Sequence, residues 1–167
     1  QTILEKKAAL ADAVSAPLAR LADRVAEVWP DADAIDQRLQ EEFTSLPNCH
    51  LAYAWNVNGI EVSSMVRAKG PDPTWRGRDL SQRPYLKNHL PFKGVMLSSV
   101  YLSEYTYEFC LTALQAVSRD NQLLGFIAAD SVGALFALAS TTLVPVLVVA
   151  IAGPEQGAYF AMAWSVV

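Results

Sequence analysis

EFCLTALQAVSRDNQLLGFIAAD, residues 108–130, decides the fold. Two apolar runs, at 108–117 and 123–129, flank the polar group Arg119-Asp120-Asn121-Gln122. Asp and Asn tolerate the backbone conformations that close a strand pair, so this stretch predicts two antiparallel strands joined by a tight turn. Upstream, HLAYAWNV (50–57) and IEVSSMV (60–66) flank the dipeptide Asn58-Gly59. Alternating apolar residues around Asn-Gly predict a second hairpin, closed by a two-residue primed turn. A fifth strand is predicted at 95–103, where Leu97, Ser99 and Tyr101 alternate along one face.

Helices come first in the chain. Leu10, Val14, Leu18, Leu21, Val25 and Val28 recur at spacings of three and four, the apolar stripe of a long N-terminal helix. Pro17 should kink or restart it, and Pro30 should end it. Asp31 or Asp33 can cap a second helix whose stripe is Ile35, Leu39, Phe43 and Leu46. Pro71 and Pro73 open a predicted loop over 71–79, and a short helix is predicted over 81–89 with Pro84 in its first turn. Two helices, then five antiparallel strands with a helical insertion after the second, make an α+β architecture.

Composition removes several function classes. A chain of 167 residues that is 52% hydrophobic can bury a proper core as one domain. The net charge of −4 and the absence of a polybasic run argue against nucleic acid as a partner. Cys49 and Cys110 are too few for a disulfide framework and read as two buried thiols. His50 and His89 have no carboxylate or thiol at ligand spacing, so no metal is assigned. No Gly-x-Ser-x-Gly elbow, Gly-rich phosphate loop or paired-carboxylate constellation occurs, so neither catalysis nor a cofactor is expected.

The C-terminal part differs from the rest. All Lys and Arg lie at or before Arg119, and residues 131–154 carry no charge. Within them, ALFALASTTLVPVLVVAIAG (134–153) reaches the roughly 20 apolar residues that a membrane span needs. GAYFAMAWSVV (157–167) follows, with Tyr159 and Trp164 suited to an interface. Buried soluble structure competes with the span, because Pro145 interrupts a straight helix. A domain over 1–132 and a membrane-embedded segment over 133–167 are therefore expected. Orientation cannot be read without flanking basic residues, and the start at Gln1 leaves any targeting segment ahead of it unread.

The order of long helix, hairpin, RDLSQRPYL (78–86), SSVYLS (98–103), a strand, a polar turn and LLGFIAAD (123–130) resembles the Cache or PDC sensor domains. These are the PAS-like extracytoplasmic sensors of bacterial chemoreceptors, histidine kinases and cyclic-di-nucleotide enzymes. The resemblance covers residues 2–132 and implies a PAS-like sheet behind a long helix. In amine- and amino-acid-binding members an Arg-x-Trp-Tyr element, a later Tyr and a closing Asp line the pocket. Here Arg83 matches the arginine, Tyr85 stands where the tryptophan would be, Tyr101 matches the later tyrosine and Asp130 the aspartate. Leu86 replaces the second aromatic of that element, and Ser103 stands where an acidic residue is frequent.

The chemistry of these residues suits a small polar ligand. A guanidinium at Arg83 can engage a carboxylate through two parallel hydrogen bonds, and Lys87, four residues on, adds positive potential on the same helical face. Tyr85, Tyr101 and Trp75 offer apolar walls, and the tyrosines add polar tips. Asp130 can receive an ammonium, so Arg83 and Asp130 would read the two ends of a zwitterion. Each residue also has a plainer reading. Arg83 can pair with Asp79, Tyr101 can pack at a core edge, Asp130 can cap a helix and Trp75 can staple its loop.

The expected function is an extracytoplasmic, periplasmic sensor domain that binds an amino acid or organic acid and relays binding by conformational change. The expected partners are that ligand, a membrane through the C-terminal segment, and a second copy through the N-terminal helix or a membrane protein complex. The alternative is a membrane-anchored accessory subunit that uses a sensor-like fold for docking without a ligand.

Overall fold

A computed structural model of the protein describes residues 3–83, 86, 94–99, 101–103, 105, 107 and 109–131. The segment 133–167, predicted to enter a membrane, lies outside the described residues, as does most of the helix predicted over 81–89. Among the described residues no helix is long and apolar enough to cross a membrane.

Two helices open the chain. Helix α1 (Ile3–Val28) runs without interruption through Pro17. Proline removes one hydrogen bond to the carbonyl four residues back, and that residue, Ala13, is exposed, so water can take its place. The predicted stripe faces inward: Val14, Leu18, Leu21 and Val25 are buried, with Leu10 and Val28 at the margin. Asp31 caps α2 (Ala32–Glu42) by accepting hydrogen bonds from the Asp33 and Ala34 amides. The second stripe, Ile35, Leu39, Phe43 and Leu46, is buried beside α1. Arg24 of α1 pairs with Glu41 and Glu42 at the far end of α2.

The sheet contains β1 (Cys49–Asn56), β2 (Met65–Arg67), β3 (Gly70–Asp72), β4 (Val95–Leu97), β5 (Tyr101–Leu102), β6 (Phe109–Arg119) and β7 (Gln122–Ser131). Its order is β3-β2-β1-β7-β6-β4, with β5 also on β6, and every pairing is antiparallel. Among the described residues there are thus seven strands rather than the five expected. One additional strand comes from a break and the other, β3, from the stretch expected to be a loop. The run predicted at 95–103 is interrupted between β4 and β5, and the partner of β1 is interrupted at Ser63 and Ser64. Pro71 lies in β3 rather than in a loop, and β3 is an edge strand, where a missing amide donor is tolerated.

The two hairpin turns differ from expectation in kind. Asp120 and Asn121 both have positive φ, 52° and 62°, and Arg119 pairs with Gln122, so the primed two-residue turn closes β6 and β7. At Asn58-Gly59 the chain instead makes a wider turn. The Gly59 amide donates to the Asn56 carbonyl, the Asn56 side chain accepts from the Asn58 and Ile60 amides, and Trp55 pairs with Glu61. Only Gly59, at φ +80°, takes the left-handed conformation there.

The central strands separate two environments. Ala52, Ala54, Ala113, Ile127 and Ala129 face α1 and α2. Four alanines among these five allow the helices to seat close to the sheet. Leu51, Tyr53, Trp55, Leu114, Phe126 and Ala128 face the other way, with Met65 and Leu80 against them.

Candidate functional site

That second face carries the polar groups. Strand alternation places Asp130 on the same side as Phe126 and Ala128, and register sets it between Leu51 of β1 and Thr112 of β6. Asp130 is buried, and its carboxylate accepts from the Thr112 hydroxyl at 2.7 Å, the Tyr101 hydroxyl at 3.2 Å and the Tyr53 hydroxyl at 3.3 Å. The Tyr101 and Thr112 hydroxyls also stand within hydrogen-bond distance of each other, at 2.6 Å, so their two protons are shared among three contacts. Burial outweighs these donors and the nearby charge of Arg83, pushing the Asp130 carboxyl up to about 6. This carboxyl lies inside β7, which continues to Ser131, so the helix-cap reading is excluded.

A cavity of about 350 Å³ opens on this face, lined by Trp75, Arg78, Asp79, Leu80, Gln82, Arg83, Tyr101 and Leu102. Three of the residues singled out from sequence, Trp75, Arg83 and Tyr101, therefore share one hollow. Asp130 lies behind Tyr101, joined to it by the hydroxyl. Tyr85 and Lys87 lie outside the described residues. Arg83 is half-buried, and its charge has a lowering effect on the Asp130 carboxyl. Asp79 uses a carboxylate oxygen to accept from the Ser81 amide at 2.8 Å, which shapes the turn leading to Arg83.

Local backbone chemistry holds the cavity wall in place. The Glu61 amide donates to the Arg78 carbonyl, the Gly77 amide to the Glu61 carbonyl and the Leu80 amide to the Gly59 carbonyl. The loop is thereby laced to the Gly59–Glu61 backbone like a further strand. A Cβ on Gly59 would lie 2.8 Å from the Ser81 Cα, so glycine is required by contact as well as by φ. Trp75 is a wall more than a staple. Its ring meets Tyr105 edge-on at 5.2 Å, and the Arg78 guanidinium lies over it at 4.0 Å.

A larger cavity, about 650 Å³, lies between α2 and the β2–β3 edge. Its charged groups already satisfy one another. Asp36 accepts from the Ser64 amide at 2.7 Å, the Ser64 hydroxyl at 2.5 Å and Arg76 at 2.5 Å, while Arg76 also reaches Asp33 at 2.7 Å. That cluster ties α2 to the sheet. The smaller cavity has the convergent groups and is the better candidate.

Four participants were not singled out from sequence: Tyr53, Thr112, Arg78 and Glu61. Glu61 is the most informative, because it is 1% exposed and neither carboxylate oxygen has a hydrogen-bond partner among the described residues. Burial pushes its carboxyl up to about 8, against the lowering effect of Arg83 and Arg78. Cys110 is buried and Cys49 half-buried, both as free thiols. No group of His, Cys, Asp or Glu among the described residues could hold a metal ion.

No family model matches the chain, and no curated protein matches it. Solved structures do. The sensory domain of the Campylobacter jejuni chemoreceptor Tlp3, with isoleucine bound, matches with a TM-score of 0.66 at 14% identity, over 83% of this chain and 58% of that one. This chain has the Cache/PDC sensor fold. The ligand-binding domain of the Pseudomonas fluorescens chemoreceptor CtaA matches in its L-valine complex with a TM-score of 0.56 at 23% identity, over 74% of this chain and 54% of that one. Its L-serine complex gives 0.57 at 21%, over 78% and 58%. The chain thus spans just over half the length of the sensor domains it matches. The Cache/PDC fold accounts for the layout found here, with helices behind a curled antiparallel sheet and a polar hollow in front.

Proposed function

We propose that this chain is the ligand-binding part of an extracytoplasmic sensor for a small zwitterionic or anionic metabolite, with free amino acids the leading class. One observation supports the reading: a buried carboxyl, Asp130, lies behind Tyr101 in the wall of an aromatic-sided hollow that Arg83 also lines. The guanidinium suits a ligand carboxylate and the aspartate, through its hydroxyl cluster, suits the ammonium. The Tlp3 and CtaA domains of the same fold, solved with isoleucine, valine and serine, support this ligand class.

Transmission follows from where α1 sits. It packs on β6 and β7, the two strands that hold Thr112 and Asp130 on their opposite face. A ligand that binds one arrangement of these strands more tightly than another shifts α1 with them. Residues 133–167 would tether the domain to a membrane, with the pocket outside the cytoplasm.

The test is a thermal-shift and calorimetric screen of the full chain against amino acids and organic acids, with Arg83→Ala and Arg83→Lys alongside. A stabilising compound should lose most of its effect in Arg83→Ala and regain little in Arg83→Lys, because an ammonium cannot reproduce the two parallel hydrogen bonds. No binder in either class, or a binder undiminished by Arg83→Ala, would overturn the reading.

A further inference from the structure

We infer that Glu61 is a second acidic ligand contact, and that the ligand carries a distal cationic group as well as an α-ammonium, as a dibasic amino acid does. This rests on the functional reading above and narrows it to a specificity.

Position comes first. Glu61 pairs directly with Trp55, and residues opposite one another in an antiparallel pair point to the same face. Trp55 belongs to the pocket face, together with Tyr53, Leu51 and Phe126. Glu61 therefore stands on the same floor as Asp130. Trp55 also pairs with Phe126, and Asp130 lies four residues farther along β7, so the two acids are offset by roughly 13 Å along the strand direction. Neither acid lines the cavity itself, but the charge of Arg83, which does, acts on both.

Chemistry comes second. A carboxyl that is 1% exposed and has both oxygens without hydrogen bonds among the described residues is costly in either protonation state. The charges that act on it are Arg83 and Arg78 on the cavity wall, and more weakly Asp36 and Asp130. Arg78 is exposed and stacked over Trp75, and neither guanidinium donates to the Glu61 oxygens. With the ligand carboxylate on Arg83 and its α-ammonium on Asp130, Glu61 is left as an unanswered acid. An ammonium brings three donors and a positive charge that favours the ionised carboxylate, so it can satisfy an acid that burial otherwise keeps protonated. The two acids stand four residues apart along the sheet face, so a second cation on a flexible chain of several bonds is what would reach Glu61 while the α-ammonium stays at Asp130.

L-Lysine and L-leucine separate the outcomes, measured by calorimetry on the full wild-type chain, Glu61→Gln and Glu61→Met. The wild type should bind L-lysine at least about tenfold more tightly than L-leucine, the scale of one charge-assisted hydrogen bond. Glu61→Gln should lose that preference while retaining L-leucine binding. Glu61→Met removes the buried acid altogether, so it should fold at least as well as the wild type and favour L-leucine. Binding of L-leucine without a preference for L-lysine, or a preference that survives in both variants, would overturn the assignment and leave the amino-acid sensor reading standing. Failure of both amino acids, together with all other amino and organic acids, would overturn both readings.

Discussion

Asp130→Asn tests whether the pocket floor stays acidic at the expense of the fold. Burial holds the Asp130 carboxyl at about 6, against its ordinary 3.8. A carboxyl whose folded value is raised keeps its proton longer in the native state, so its ionisation opposes folding. The penalty is absent below about pH 4, grows between about pH 4 and 6, and is constant above that. The interval from 3.8 to about 6 corresponds to about 3 kcal/mol, at about 1.4 kcal/mol for each unit of pKa. Asparagine carries no charge and keeps an acceptor oxygen for the Thr112 hydroxyl, while its amide can donate to the Tyr101 oxygen. The stability of the variant relative to the wild type should therefore shift in its favour by about 3 kcal/mol between pH 4 and pH 7.5. Urea denaturation of both proteins across that range measures it, and taking the difference removes most of the titration of Glu61, which both share. A flat difference, or one moving toward the wild type as pH rises, would refute the claim that Asp130 is held ionised at a cost. The same variant should bind ammonium-bearing ligands more weakly, so stability and binding should move in opposite directions.

Two further perturbations probe the scaffold. Asp36→Ala should destabilise by about 3 kcal/mol, because the buried Ser64 amide and the Arg76 guanidinium both lose their acceptor, whereas Asp33→Ala at the exposed end of the same cluster should cost under about 1 kcal/mol; urea midpoints compare them. Gly59→Ala should cost about 2 kcal/mol or more, and should weaken ligand binding by displacing the loop that carries Arg83, while Gly77→Ala, at the same φ but with open space around it, should cost only about 1 kcal/mol. Denaturation and calorimetry on the two variants separate contact from backbone strain.

The helical half of the fold could be read directly because its signal is periodic. Six apolar residues at spacings of three and four fix which face of α1 is buried, whatever it packs against. The strands were harder to read, because their limits depend on partners. Ser63 and Ser64 look like ordinary strand residues, yet the Asp36 carboxylate draws the Ser64 amide and hydroxyl out of the ladder and toward α2. Asn58-Gly59 carries the strongest short-range signal for a primed turn, but the Asn56 side chain bonds the amides of Asn58 and Ile60 and selects a wider loop. The primed turn formed instead at Asp120-Asn121, where no side chain competes among the described hydrogen bonds.

The site was legible in part for a related reason. Charged and aromatic residues stand out in the motif-bearing segment, so Trp75, Arg83, Tyr101 and Asp130 could be singled out. Thr112 could not, because its role depends on a bulge. Counting back from the Arg119–Gln122 pair in simple register sets Asp130 opposite Leu111. Leu124 is an extra residue between the Leu123 and Gly125 pairings, and it advances the register by one so that Asp130 faces Thr112. A one-residue slip turns a side chain to the opposite face, so without the bulge the acid would lie among the alanines beneath α1. Gly125 permits the arrangement, since a Cβ there would lie 2.1 Å from the Trp55 carbonyl oxygen.

That bulge also bears on how the domain could signal. The adjacent pairs Thr112–Asp130 and Ala113–Ala129 point to opposite faces, the first into the hydroxyl cluster and the second against the helices. Any ligand that pulls Asp130 toward the hollow must displace the backbone that carries Ala129. Alanine has no flexible side chain with which to absorb the movement, so the displacement reaches the packing surface of Leu18, Leu21 and Val25 with little loss. Larger residues at 113 and 129 would hold α1 farther off and offer rotamers that could absorb the same motion. Under the proposed function, the small residues on the rear face would thus couple pocket to helix, as well as allow close packing.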